Sequence, residues 1–411
     1  MRSWYVNQMS VGKCPVIGYT GGTLFQETGW YLDLTEYLDK PNPYVEGNER
    51  WKDLFYDWVW DDPSVVDANG KIVAIPLLLH AGTATAIYYN QDLVSNESAN
   101  WQQFLNTQYE LETKGVAFPY IPYTGELTIG LYTWPIRFSI SPGYTKTMIN
   151  LPLSQGGVDY DGNGKLSTAE SIRAVLEDRF NPNKSVVARE FYRSAVTYYK
   201  SLRSGWNSTS ADTYLNAWRS GNAGMVNQGI WFWNSEKTAT HSFSYSLFPT
   251  PVMMHDETNS PNASDLERKT LAEGFESGVA MAFNIMKAGI KSPDILEHAI
   301  DFLMYLSTPE ANQQLAEENG VGFPTVKGAG IGNVFVESGW TLRKFTNIYD
   351  GEWPFGFTSG YKTLLDDAFG EWYRSNITEA AFFNYVNQYQ KNSAWQMVNQ
   401  MGIDTTGWDI V

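Results

Sequence analysis

One stretch of the sequence carries the donors of a metal ion at fixed intervals. Asp159-Tyr160-Asp161-Gly162-Asn163-Gly164-Lys165-Leu166-Ser167-Thr168-Ala169-Glu170 matches D-x-[DN]-x-[DN]-G-x5-E at every fixed place. Composition alone would produce such a match in on the order of one chain per thousand of this length. Calcium takes roughly six to eight oxygens in a loose shell. Asp159, Asp161 and Asn163 would supply side-chain oxygens, Lys165 its carbonyl, Ser167 a contact through water, and Glu170 two oxygens that close the shell. Gly164 permits the sharp turn. Three carboxylates around a divalent cation leave a charge of −1, and without the ion they repel one another. The expected occupant is one structural Ca2+; the alternative is an acidic turn that holds no ion.

The segment after the loop, 168–180, reads as a helix with Ile172, Val175 and Leu176 on one face. The segment before it, 151–157, contains Pro152 and Gly156-Gly157 and does not form an entering helix. The motif is therefore half an EF-hand. A sensor opens a groove with paired helix-loop-helix units, so the expected role is stability rather than signalling.

Other elements follow from spacing. Residues 51–60 read as a helix ended by Asp61-Asp62-Pro63, and Asp67-Ala68-Asn69-Gly70 as a turn. Residues 71–75 and 84–90 read as buried strands with an irregular crossing between them, and 279–284 as a strand. Ala188, Phe191, Tyr192, Ala195, Tyr199 and Leu202 mark the buried face of a helix. Ser292-Pro293-Asp294 starts another, with Ala299, Phe302, Leu303 and Leu306 as its apolar repeat. Thr308-Pro309-Glu310 starts a third, which Asn319-Gly320 should stop. Helices alternating with short buried strands give an α/β class.

Much chemistry is excluded. His80, His241, His255 and His298 show no metal-ligand spacing, and one cysteine, Cys14, leaves neither a zinc site nor an internal disulfide. No G-x-S-x-G elbow or phosphate-binding loop occurs, and Gly328-Ala329-Gly330-Ile331-Gly332 reads as a surface loop. The 411 residues carry a net charge of −16, which argues against a nucleic-acid partner because polyanion binding needs Lys and Arg. The longest apolar run, about 72–79, is far too short to span a membrane. Residues 1–13 show no signal peptide, which leaves a removed leader or a truncated start, and Val11-Gly12-Lys13 makes a poor lipid-attachment box before Cys14.

Several segments, in order, resemble one family. The run from Trp60 ending Asn69-Gly70-Lys71-Ile72-Val73-Ala74-Ile75-Pro76 resembles the "dGKiyaiP" stretch of extracellular solute-binding proteins, and Ile87-Tyr88-Tyr89-Asn90-Gln91-Asp92-Leu93 their "lyYNkdl" strand. Ala217-Trp218-Arg219-Ser220-Gly221-Asn222-Ala223-Gly224-Met225 is similar to "f..GkaAM", and Gln228-Gly229-Ile230-Trp231-Phe232-Trp233 to the "nGpWaW" of maltose-binding proteins. Residues 299–324, and Gly29-Trp30-Tyr31-Leu32-Asp33-Leu34 near the start, resemble two further family segments. The resemblance is to the sugar-binding members (family 1, maltose-binding-protein-like) that serve ABC importers.

That resemblance implies a two-lobed periplasmic-binding-protein-like fold (type II), with several hinge crossovers and a single EF-hand-like calcium loop, closing on its ligand. By motif position one lobe is 1–88 plus 281–352, incomplete at its start because the usual first strand and helix are absent ahead of Gly29. The other is 89–280 plus 353–411. It also implies a monomer outside the cytoplasm, periplasmic or membrane-attached, that delivers a carbohydrate to permease subunits without catalysis.

A pyranose has apolar C–H faces and a rim of hydroxyls, so it needs flat rings and planar polar groups. The chain has 16 Trp, 25 Tyr and 21 Phe to choose from. The resemblance makes Trp231 the stacking residue, with Trp233 packed beneath it on a strand or turn. Tyr361, with Phe357 as its rival, falls near the aromatic of the family's late cleft helix, and His80 near a lobe crossing. Tyr19 and Thr20 follow the buried Pro15-Val16-Ile17 strand, at the strand end where α/β sheets place ligands. Core duty is the alternative for each. The competing functions are a glycoside hydrolase, for which spacing nominates no carboxylate pair, and a calcium-stabilised surface carbohydrate-binding protein.

Overall fold

Among the described residues of the computed structural model, the apolar strands pair into two four-stranded sheets. The structure describes residues 4, 8–9, 11–19, 29–61, 64–67, 69–79, 86–98, 101–124, 127–133, 136, 140–164, 166–229, 231–236, 238–249, 279–319, 323–330 and 359–411. Its strands are β1 (Ile17–Gly18), β2 (Ile75–Leu79), β3 (Ala86–Asn90), β4 (Phe118–Ile121), β5 (Ala223–Gln228), β6 (Tyr245–Pro249), β7 (Val279–Ile285) and β8 (Phe323–Pro324). Its α-helices are α1 (Thr35–Leu38), α2 (Trp101–Thr113), α3 (Ser141–Asn150), α4 (Thr168–Leu176), α5 (Val186–Ser201), α6 (Ala211–Arg219), α7 (Trp231–Glu236), α8 (Pro293–Leu306), α9 (Pro309–Asn319), α10 (Ser359–Tyr373) and α11 (Glu379–Met401). The chain divides into two units. Unit 1 takes Met1–Gly82, Ile230–Asn234 and Glu276–Asp350; unit 2 takes Thr83–Gly229, Ser235–Phe275 and Gly351–Val411.

Unit 1 holds the sheet β1-β7-β2-β8, antiparallel throughout. Leu34, Trp51, Phe55, Ile72, Ile75, Ile285, Leu303 and Val326 are buried together in its core. Pro76 lies inside β2, where it has no N–H to give, and the pairing with β7 shifts register just after it. Asn312 of α9 stitches the edge of the sheet, its Nδ2 donating to the Leu77 carbonyl at 2.7 Å and its Oδ1 accepting from the Thr325 and Val326 N–H groups. A buried amide placed so has its needs met and fixes one register.

Unit 2 holds the sheet β4-β5-β3-β6, with β4 and β5 parallel and the other pairs antiparallel. Every residue of β5 is buried, as a central strand covered on both faces requires. Helix α5 packs on α11 through rings: Tyr192 meets Phe382 at 5.4 Å edge-on, and Gln390 donates to the Tyr192 hydroxyl at 3.1 Å.

The expected helix starts hold. Ser292 and Thr308 accept from the Ile295 and Ala311 N–H groups as N-caps, and Ala188, Phe191, Tyr192, Ala195 and Tyr199 are buried on α5. The Asp67 turn forms as read: Gly70, at φ +76°, donates to the Asp67 carbonyl, and Val66 bridges to Ile72.

Four expectations are corrected. Residues 51–60 form two short 3-10 turns, Trp51–Leu54 and Asp57–Asp61, because Phe55 between them is extended and bridges Val326. The strand expected at 71–75 runs instead from Ile75 to Leu79, over the supposed crossing, since β7 and β8 supply its partners there. On α8 Phe302 is 51% exposed, and Ile300 and Met304 take the buried face with Ala299 and Leu303. The helix after the acidic loop stops at Leu176, where Asp178 takes a left-handed φ of 61°.

Candidate functional site

The acidic loop folds around its own carboxylates. Asp159 Oδ1 accepts from the N–H groups of Gly162 and Asn163, at 2.9 and 3.0 Å, and Oδ2 from that of Gly164 at 2.9 Å. Asp161 Oδ1 accepts from the Asn163 N–H at 3.0 Å. Gly164 has φ +76°, the left-handed turn that its place in the motif demands. At the far end Ser167 caps α4, and the buried Glu170 reaches back to the Ser167 and Tyr160 N–H groups at 2.9 and 2.7 Å. One oxygen from each of Asp159, Asp161 and Glu170 falls within 4.8 Å of the others. Three converging carboxylates are a hard-oxygen donor set, the kind calcium takes. Lys165 lies outside the described residues.

Sequence reading missed what braces this loop. Tyr160, inside the loop, donates its hydroxyl to Glu177 Oε2 at 2.9 Å, while the Arg173 guanidinium lies 4.0 Å over its ring. Glu177 also accepts from Arg173 Nε at 2.8 Å and from the Asp409 N–H at 3.1 Å. Burial pushes the Glu177 carboxyl up, but the bonds from Arg173, Asp409 and Tyr160 outweigh it and hold the carboxyl below its usual range. Burial, then the Glu177 acceptor, pushes the Tyr160 phenol well up. Next along, Asp178 pairs with Lys184 and with Lys391 of α11 (2.7 Å), and these bonds lower its carboxyl against the opposing effect of burial. The i, i+4 spacing of Arg173 and Glu177 was a usable signal. The Asp409 contact, far away in sequence, had none.

The carbohydrate candidates fall in several places. Trp231 opens α7, a six-residue helix three residues past the end of β5, and Trp233 is on the same helix rather than on a strand or turn; both side chains lie outside the described set. Two positions apart on a helix turn about 200° around the axis, so the pair occupies opposite faces. Tyr19 follows β1 in unit 1, half-buried, with its ring 6.2 Å from that of Phe283 on β7. Tyr361 is half-buried in the first turn of α10, in unit 2. Thr20, His80 and Phe357 lie outside the described residues.

The far end of α7 is anchored by a pairing that sequence reading also missed. The Glu236 side chain is fully buried, takes Arg219 Nη2 at 2.7 Å and Nε at 3.2 Å, and meets His241 Nε2 at 2.9 Å. At the other end, the Tyr88 hydroxyl donates to the Gly229 carbonyl at 3.1 Å, just before the helix. These bonds hold the backbone on either side of residues 230–234.

Solved structures share this fold. Maltose-bound MalE3 of T. maritima is similar over 95% of this chain and 88% of its own, at 15% identity and a TM-score of 0.57. RafE in complex with raffinose is similar over 96% of this chain and 89% of its own, at 15% identity and a TM-score of 0.60. The maltose/maltodextrin-binding domain MalE from Bdellovibrio bacteriovorus, bound to maltotriose, covers 97% and 88%, at 15% identity and a TM-score of 0.54. At such identities the likeness is one of fold. No curated protein matches the chain by sequence. The profile of the family described as bacterial extracellular solute-binding protein matches residues 16–337, most of the length. The chain, with its two sheets in two interleaved units, belongs to the bacterial extracellular solute-binding proteins.

Proposed function

We propose that this protein is a carbohydrate receptor that captures a sugar or oligosaccharide and delivers it unchanged to an ABC-type importer. The observation that carries the reading is the family match over residues 16–337, joined to a fold it shares with maltose-, raffinose- and maltotriose-bound receptors. A chain rich in rings and poor in histidine has the materials for that task. Membership of the family implies a periplasmic or extracellular location, and no described helix is long and apolar enough to cross a membrane.

Capture between two lobes joined by hinge crossovers belongs to the same proposal, as does its ligand set. Trp231 stacks under one sugar face, Tyr361 or Phe357 supplies a second ring, and Tyr19, Thr20 and His80 contribute further contacts. The loop from Asp159 to Glu170 holds one structural Ca2+, supported by the motif and by carboxylates that converge within 4.8 Å. A thermal-shift screen over mono- and oligosaccharides tests the function. Saturable stabilisation without product is the expected result, and a panel that leaves the melting curve unmoved overturns it.

A further inference from the structure

An open surface cavity of about 410 Å³ lies on unit 2, lined by Arg193, Val196, Thr197, Lys200, Trp372 and Glu379. The volume falls within the roughly 300–1,000 Å³ of small-molecule sites. Its floor is one stripe of α5, because positions 193, 196, 197 and 200 are spaced i, i+3, i+4 and i+7. Trp372 comes from the end of α10, and Glu379 is the first residue of α11. None of the six is among the sugar-binding candidates taken from the sequence.

The lining is rigid, and Glu190 beside it balances its charge. Arg193 gives Nε and Nη2 to Glu379 at 3.0 and 2.6 Å, and Nη1 to Glu190 at 3.0 Å. Of its five N–H donors, three are used and one remains on each terminal nitrogen. Phe382 stacks on Trp372 at 4.7 Å and 17°, while Phe383 and Phe369 meet it edge-on at 5.7 and 6.1 Å. The half-buried indole is thus held in place by three rings. Lys200 is exposed and has no salt bridge among the described residues. The charges of Arg193 and Lys200 cancel those of Glu190 and Glu379.

We propose that this cavity is a second carbohydrate site, which holds one end of a neutral oligosaccharide. A fixed indole suits the C–H face of a pyranose, and a planar Arg–Glu pair offers donors and acceptors side by side, as vicinal hydroxyls require. Thr197 and Lys200 add a hydroxyl and an ammonium along the same stripe. A charge that is balanced once Glu190 is counted, on a chain of net charge −16, favours an uncharged ligand over an acidic one. The cavity shares no residue with the proposed solute site, so either can fail alone.

Fluorine NMR of the full chain carrying fluorotryptophan tests it, with maltohexaose, xylohexaose and chitohexaose as probes. The Trp372 resonance, identified as the one lost in Trp372→Phe, should shift saturably with at least one of the three. Thr197→Phe fills the cavity and leaves the contacts of Trp372 with Phe382 in place. It should raise the Kd read at that resonance about tenfold or more, the scale of losing a strong anchor. Trp231→Ala should leave that Kd unchanged. A Trp372 resonance that no probe moves, or one that titrates identically in Thr197→Phe, overturns the proposal.

Discussion

Ser167 and Glu170 cap each other across one turn: Ser167 Oγ accepts from the Glu170 N–H at 3.2 Å, and Glu170 Oε2 accepts from the Ser167 N–H and hydroxyl at 2.9 Å each. The residue that would close a calcium shell is thus also the residue that starts α4. An ion bound only by the folded state adds RT ln(1 + [L]/Kd), about 2.7 kcal/mol at a hundredfold excess over Kd. A chelator should lower the Tm of calcium-loaded protein, and Glu170→Gln should abolish that calcium-dependent shift. Ser167→Ala removes the cap at a cost of about 1 kcal/mol and should keep the shift. Differential scanning calorimetry with and without calcium decides; equal curves would leave the loop an acidic turn.

Acid stability should depend on Glu177 and Asp178. Both carboxyls are held below their usual range in the folded protein, so the unfolded chain binds protons more readily. Their contribution is fully present above the unfolded values near about pH 4 and is lost as pH falls through the folded ones. Glu177→Gln and Asp178→Asn should each lower stability at neutral pH and flatten the acid limb of the stability curve. Asn tolerates the left-handed φ of 61° at position 178, which keeps that test free of backbone strain. Urea unfolding between about pH 3 and pH 7 reads both effects, and an unchanged acid limb in both variants would exclude these pairs as its cause.

Arg219→Ala should destabilise unit 2 by about 1–3 kcal/mol, less than the 3–5 of a fully buried pair because Arg219 is partly solvated. The loss leaves the buried Glu236 carboxylate with His241 and the Ser235 hydroxyl. Denaturant unfolding measures it. A cost within about 0.5 kcal/mol of zero would mean that Arg219 does not hold the end of α7.

What the sequence made legible was local. The caps at Ser292 and Thr308, the Asp67 turn, the buried stripe of α5 and the acidic loop each rest on residues within one or two turns of each other. What it hid depends on distant partners. Phe55 leaves the helix expected around it because Val326 offers a bridge, and Glu177 is satisfied by a backbone N–H 232 residues away. Likewise Arg193 and Glu379 meet to shape the cavity only once α5 and α11 have packed, and no periodicity announces that pairing.

Trp231→Ala should weaken carbohydrate binding by roughly 1–3 kcal/mol, the range of a strong interface anchor, with the Tm little changed. Titration calorimetry on the variant and the parent checks it. Full affinity in a folded variant would move the stacking role to Tyr361 or Phe357.

The receptor reading itself is tested most directly by titrating the intact protein with malto-oligosaccharides, raffinose and chito-oligosaccharides in a calorimeter, then analysing the recovered sugar. Saturable binding of at least one of them, with the sugar returned chemically unchanged, is the expected result. Turnover of the sugar, or no heat of binding from any of them, would contradict a carbohydrate receptor.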